Sequence, residues 1–134
     1  MHQYNYLKYD MPEEWCKEED SDTLSLYDPE GMGAITISFY SIINRSLDLV
    51  QMAHDIAEDF INKNNISMSQ MLTVDTKHES KIVVMGTGTD SEYYYKIWCI
   101  ARYPKIVLAT YICEEPTSEE KICDEIIDSI QFNL

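Results

Sequence analysis

Two stretches in the second half of the chain, Tyr93 to Tyr103 and Ile106 to Cys113, are long, β-branched or aromatic, and apolar in a way that ordinary surface strands are not. In the first, Tyr95, Ile97 and Cys99 alternate to one side, while Tyr94, Trp98 and Ile100 alternate to the other. A half-buried strand is apolar at every second position only. A sheet apolar on both sides needs cover on both sides, or a ligand on one of them. This requirement constrains the fold more than any other feature of the sequence.

Two helical patterns can supply the cover. Leu49, Val50, Ala53, Ile56, Ala57, Phe60 and Ile61 recur at three- and four-residue spacing and form one apolar stripe. Ser46 reads as its N-cap, Asp48 suits the positive end of the helix dipole, and the run Asn62-Lys63-Asn64-Asn65 reads as its stop. Near the end of the chain, Thr117-Ser118-Glu119-Glu120 has the form of a capping box, followed by the stripe Ile122, Cys123, Ile126, Ile127 and Ile130.

The remaining periodic segments read as strands. Leu7, Tyr9 and Met11 alternate with polar neighbours up to Pro12, and Leu24 and Leu26 share a face of Thr23–Tyr27. Asp28-Pro29-Glu30-Gly31 is a turn, and from Gly33 the chain continues with Ile35, Ile37 and Phe39 inward. Ser69 to Val74 and Lys81 to Thr87 follow, with Gly86 to Ser91 and Tyr103-Pro104-Lys105 read as hairpin connections. The expectation is an α+β fold. It is a predominantly antiparallel sheet of about six or seven strands flanked by two helices, in an α/β/α sandwich or an open two-layer arrangement. At 134 residues the chain reads as one domain, residues 1–134.

Charge narrows the partners. There are 24 acidic residues against 10 Lys and Arg, a formal net charge of -14. Such a surface repels phosphate backbones and anionic lipid, so neither nucleic acid nor membrane is an expected partner; a basic protein partner fits it, and plain solubility accounts for the charge without any partner. The first residues lack the basic and apolar regions of a signal peptide, and no apolar run approaches the ~18 residues of a membrane span. Cys16, Cys99, Cys113 and Cys123 are widely spaced with no C-x-x-C, and read as reduced, mostly buried thiols. A cytoplasmic protein is expected.

No catalytic or metal-binding residue emerges. The histidines are His2, His54 and His78, and none stands in a nucleophile–base pattern with a serine or cysteine. His54 shares a helix face with Glu58, and Asp55 with Asp59, but a zinc site requires further ligands that the spacing does not supply. The Gly86–Asp90 run lacks the Gly-Lys-Ser/Thr ending of a phosphate loop, so no cofactor is expected. Two segments read as interaction candidates. The row Tyr94, Lys96, Trp98, Ile100 and Arg102 shares one strand face and is either an interface or the bed of a helix. The acidic segment Glu13 to Asp22, with Glu14, Trp15, Glu18, Glu19, Asp20 and Asp22, would steer and hold a basic partner around an aromatic anchor; the bland alternative is a solvated loop with Trp15 in the core.

The element order, with Pro12-Glu13-Glu14-Trp15 after the first strand and the motif D-P-x-G-x-G-A-I-x-I-S at Asp28 to Ser38, resembles the Mog1/PsbP-like group. That group includes a binder of a small nuclear GTPase and a photosystem II extrinsic subunit. The resemblance implies a non-enzymatic, protein-binding scaffold and carries over no partner and no functional residue. The functional expectation is therefore a protein-binding domain of acidic surface. An immunity protein neutralising a basic toxin is the alternative, since such inhibitors present carboxylates to a cationic active site.

Overall fold

A computed structural model describes residues 1–41 and 48–133. Seven strands form one antiparallel sheet in the order β3-β4-β5-β9-β8-β7-β6. They are β3 (Cys16–Glu19), β4 (Thr23–Tyr27), β5 (Gly33–Ser41), β6 (Ser67–Asp75), β7 (Ile82–Thr89), β8 (Tyr94–Arg102) and β9 (Lys105–Cys113). Two meanders, β3 to β5 and β6 to β9, join along the pair β5 and β9, where nine consecutive residues from Gly33↔Cys113 to Ser41↔Lys105 stand in register. The helix α1 (Leu49–Lys63) carries the chain from β5 to the far edge at β6, and α2 (Glu119–Ser129) follows β9.

The two-faced strands are covered as the sequence requires. Tyr95, Ile97, Cys99 and Ala101 of β8 pack with Ala53, Ala57 and Ile61 of α1. Trp98 and Ile100 face the other way, against Cys123, Ile126, Ile127 and Ile130 at α2. The second face has an additional cover that the periodicity did not reveal. β1 (His2–Tyr4), β2 (Leu7–Tyr9) and β10 (Gln131–Phe132) form a small separate sheet whose Leu7, Tyr9 and Phe132 join the same core. His2, at the terminus, therefore pairs with Tyr9 across the β1–β2 hairpin and stacks on its ring. Asn5, at φ 54°, makes the hairpin turn, in the left-handed conformation that asparagine tolerates.

Local signals that failed did so for physical reasons. β7 runs through Gly86 and Gly88 as a strand, and the turn lies at Asp90, whose carboxylate accepts from the amides of Glu92 and Tyr93. The glycines are there because β6 is irregular, with register shifts between Met68 and Gln70 and between Gln70 and Thr73. A Cβ at Gly88 would stand 2.7 Å from the Ser67 carbonyl. Asp48 is the N-cap of α1, accepting from the amides of Val50 and Gln51, while Ser46 lies outside the described residues. Asn64 and Asn65 close α1, Asn65 at φ 53°.

Only half of the capping box forms. Thr117 Oγ1 accepts from the Glu119 amide at 3.2 Å, but Glu120 turns to the sheet, where it accepts from the Tyr94 hydroxyl and faces the Lys96 ammonium at 3.8 Å. Its neighbour Glu119 goes further and is only 8% exposed. The Glu119 carboxylate accepts from the amides of Met32 (3.2 Å) and Gly33 (3.0 Å) and from the Tyr111 hydroxyl (2.7 Å). A buried charge is tolerable only when its lone pairs are so engaged. The carboxylate lies against the bare backbone of Gly31, where any Cβ would overlap Oε2. The Asp28–Gly33 turn is thus shaped around an acid residue from α2.

Candidate functional site

The acidic segment is not a loop. Cys16–Glu19 is the edge strand β3, paired with β4 from Cys16↔Tyr27 to Glu19↔Leu24. Charged residues are tolerated in a strand that has solvent along one whole edge. Glu14, Glu18, Glu19, Asp20 and Asp22 are all exposed. Glu18 accepts from the Tyr27 hydroxyl at 3.1 Å, which pushes that phenol upward, and Glu19 pairs with Lys17 at 3.1 Å. Glu14 continues into an open concavity lined by Asp28, Pro29 and Glu30. Trp15 is different. It is 4% exposed and belongs to the core with Leu24, Leu26 and Tyr9. The anchor role expected for its indole is therefore corrected in favour of the core alternative, because the ring is spent on packing and the segment offers outward its carboxylates together with Lys17 and Ser21.

The aromatic and basic row on β8 is a bed for α2. Trp98 and Ile100 are buried, and Lys96 is held by Asp124 at 2.8 Å with its ammonium 5.5 Å from the Trp98 ring centre. Only Arg102 at the end of the row is exposed. Desolvation and the Glu120 carboxylate raise the Tyr94 hydroxyl above its ordinary value.

A second charged cluster, which the sequence reading did not single out, clamps the C-terminal end of α2. Helix carbonyls there lack partners, and α2 carries no basic residue in its last turn. Lys81, from the start of the Lys81–Thr87 segment, supplies the missing charge. Its buried ammonium donates to the carbonyls of Ile127 (3.1 Å), Asp128 (3.0 Å) and Ile130 (2.7 Å). Burial pushes it down to about 8, against which Asp128 acts in the opposite sense. Around it stand Asp75, Lys77, His78 and Asp128. Lys77 bridges Asp128 (3.0 Å) and Asp75 (3.6 Å), and His78 Nε2 lies 3.5 Å from each of the same two carboxylates. Burial raises the Asp75 carboxyl, but the Lys77 amide and ammonium and His78 outweigh it and hold it below its usual range.

His54 lies on α1, 3.4 Å from Glu58, and Asp55 rather than Asp59 completes a three-ligand group with them. All four cysteines are free, three of them buried, and burial raises Cys99 to about 12. No described helix is long and apolar enough to cross a membrane.

Solved structures share this arrangement at low identity. A mutant form of protein Mog1 aligns with a TM-score of 0.66 at 10% identity, over 95% of this chain and 90% of that one. Cyanobacterial PsbP from Synechocystis sp. PCC 6803 aligns at 0.62 and 8% identity, over 97% and 94%. A protein from Bacteroides thetaiotaomicron aligns at 0.56 and 16% identity, over 95% of this chain and 45% of its own. No protein-family model and no curated protein matches the sequence.

Proposed function

The chain has a Mog1/PsbP-like fold, and on that footing we propose that it is a non-enzymatic domain that binds a basic protein along the β3 edge. The observation that carries this reading is the row of exposed carboxylates, Glu14, Glu18, Glu19, Asp20 and Asp22, on and beside one sheet edge with solvent along it. Charge of one sign along an edge steers a partner of the opposite sign and fixes its register. The free main-chain groups of β3 would add hydrogen bonds to an extended segment. The free thiols support a reducing, cytoplasmic setting.

A narrower form of the same reading is an immunity protein for a basic toxin. It is supported by the concavity of Glu14, Asp28, Pro29 and Glu30, which offers carboxylates to one inserted cationic side chain. Affinity capture from the native cell tests both forms. The wild-type chain is expected to retain a basic partner at low salt and release it as salt screens the contact. The variant Glu14→Gln, Glu18→Gln, Glu19→Gln, Asp20→Asn, Asp22→Asn is expected to retain none. A partner held equally by the variant, or held without regard to salt, would overturn the proposal. If the partner is a toxin, co-expression with the wild type but not the variant restores growth.

A further inference from the structure

The group at the end of α2 holds a donor set that the helix clamp does not account for. Asp75 ends β6, His78 lies in the connection to β7, and Asp128 is the penultimate residue of α2. Their ligand atoms converge to within 4.8 Å of one another. The imidazole is 11% exposed, and its Nε2 has neither solvent nor a hydrogen-bond partner among the described residues. It faces Asp75 Oδ2 and Asp128 Oδ1, both at 3.5 Å. That distance is long for a hydrogen bond. It is close to the ~3.4 Å edge of a tetrahedron whose metal–ligand bonds are about 2.1 Å. Asp75 is braced for such a role, since its other oxygen accepts from the Lys77 amide at 3.1 Å.

We propose that Asp75, His78 and Asp128 form a binding site for a divalent transition-metal cation of the zinc class. One imidazole nitrogen with two carboxylate oxygens suits borderline cations better than Mg²⁺ or Ca²⁺, which prefer all-oxygen shells. The cation takes the place of the Lys77 ammonium, which is half exposed and free to swing to solvent. Asp124 adds negative charge near Lys77, while the Lys81 charge is turned to backbone carbonyls. Three ligands leave one position to water. Occupation ties the β6–β7 connection to α2, two segments joined across more than 45 residues of chain.

Calorimetric titration of the full chain with ZnCl₂ in metal-free buffer tests the site, with MgCl₂ as comparator. Saturable one-to-one binding of Zn²⁺ is expected, with Mg²⁺ much weaker. His78→Gln or Asp128→Asn should weaken it ~10-fold or more, in line with the loss of a ligand or its support. Lys77→Met, a surface change that leaves all three ligands in place, should tighten it several-fold. His54→Gln, in the separate group on α1, should leave it unchanged. In NMR spectra the His78 ring signals should shift with Zn²⁺ at fixed pH. Absence of saturable binding overturns the proposal, as does loss of binding with His54→Gln, a Lys77→Met variant that binds no tighter, or a His78 ring that responds to protons alone.

Discussion

Gly31→Ala and Glu119→Ala are each expected to lower the unfolding free energy by about 3 kcal/mol or more, and the double variant by little more than Glu119→Ala alone. Removing the carboxylate strands three donors at once, the part-buried amides of Met32 and Gly33 and the buried hydroxyl of Tyr111. Each unsatisfied donor costs about 1–3 kcal/mol, discounted because the turn relaxes toward water once it is no longer pinned. Adding a Cβ at Gly31 reaches the same end by another route, since the methyl group takes the space of Oε2 and evicts the side chain. Gly31 has no left-handed backbone, so steric approach alone sets its requirement for glycine. Once Glu119 is alanine the main obstacle is gone, with only the Asp28 Cβ at 3.0 Å left to give way, and the coupling between the two sites should approach most of the cost of either. Urea unfolding of the four proteins measures it. Additive effects would show that the glycine and the glutamate act separately.

Lys81→Met is expected to cost about 3 kcal/mol and to loosen the last turn of α2 before the rest of the fold. Methionine keeps the apolar stem, which isolates the ammonium. What is lost is the donor to Ile127, Asp128 and Ile130, three carbonyls at the negative end of the helix dipole. The acidic residues Asp124, Glu125 and Asp128 near the same end already oppose that dipole. Urea midpoints give the global effect, and hydrogen exchange at Ile126–Ile130 shows whether opening is local. An unfolding free energy within ~0.5 kcal/mol of wild type, the range of ordinary surface substitutions, would mean that water satisfies these carbonyls and the lysine is incidental.

Both predictions turn on residues whose long-range partners the sequence did not reveal. Periodicity carried the strands and helices well, because it reports which face of an element is buried. The double-faced apolar pattern of β8 was enough to require cover from both sides, and α1 and α2 lie where it demanded. Periodicity says nothing about what a polar residue touches at long range. Glu119 looked like part of a capping box and Lys81 like the first residue of a strand, yet each meets main-chain groups from 46 to 87 residues away. The same blindness hid β3, since Lys17, Glu18 and Glu19 lack an apolar alternation and are strand only by pairing with β4. It also hid β10, two residues that exist as a strand because β2 is there to pair with them. In the candidate site, the exposed carboxylates were legible from composition. The burial of Trp15 was legible only as one of two alternatives, because whether an aromatic in an acidic run faces in or out depends on the strand it precedes.

The two free edges of the large sheet are guarded by different means, and this fixes how the molecule can associate with itself. β6 is kept from flat pairing by its register shifts, a barrier of shape that no change of solvent removes. β3 is kept from it by charge, a barrier that added salt screens. High salt therefore opens one adhesive edge and not two. A single such edge can satisfy only a second copy of itself, across a twofold axis, and the pair so made has no further strand to offer. Light scattering at high salt should thus stop at the mass of a dimer, where a sheet with two open edges would grow into fibres.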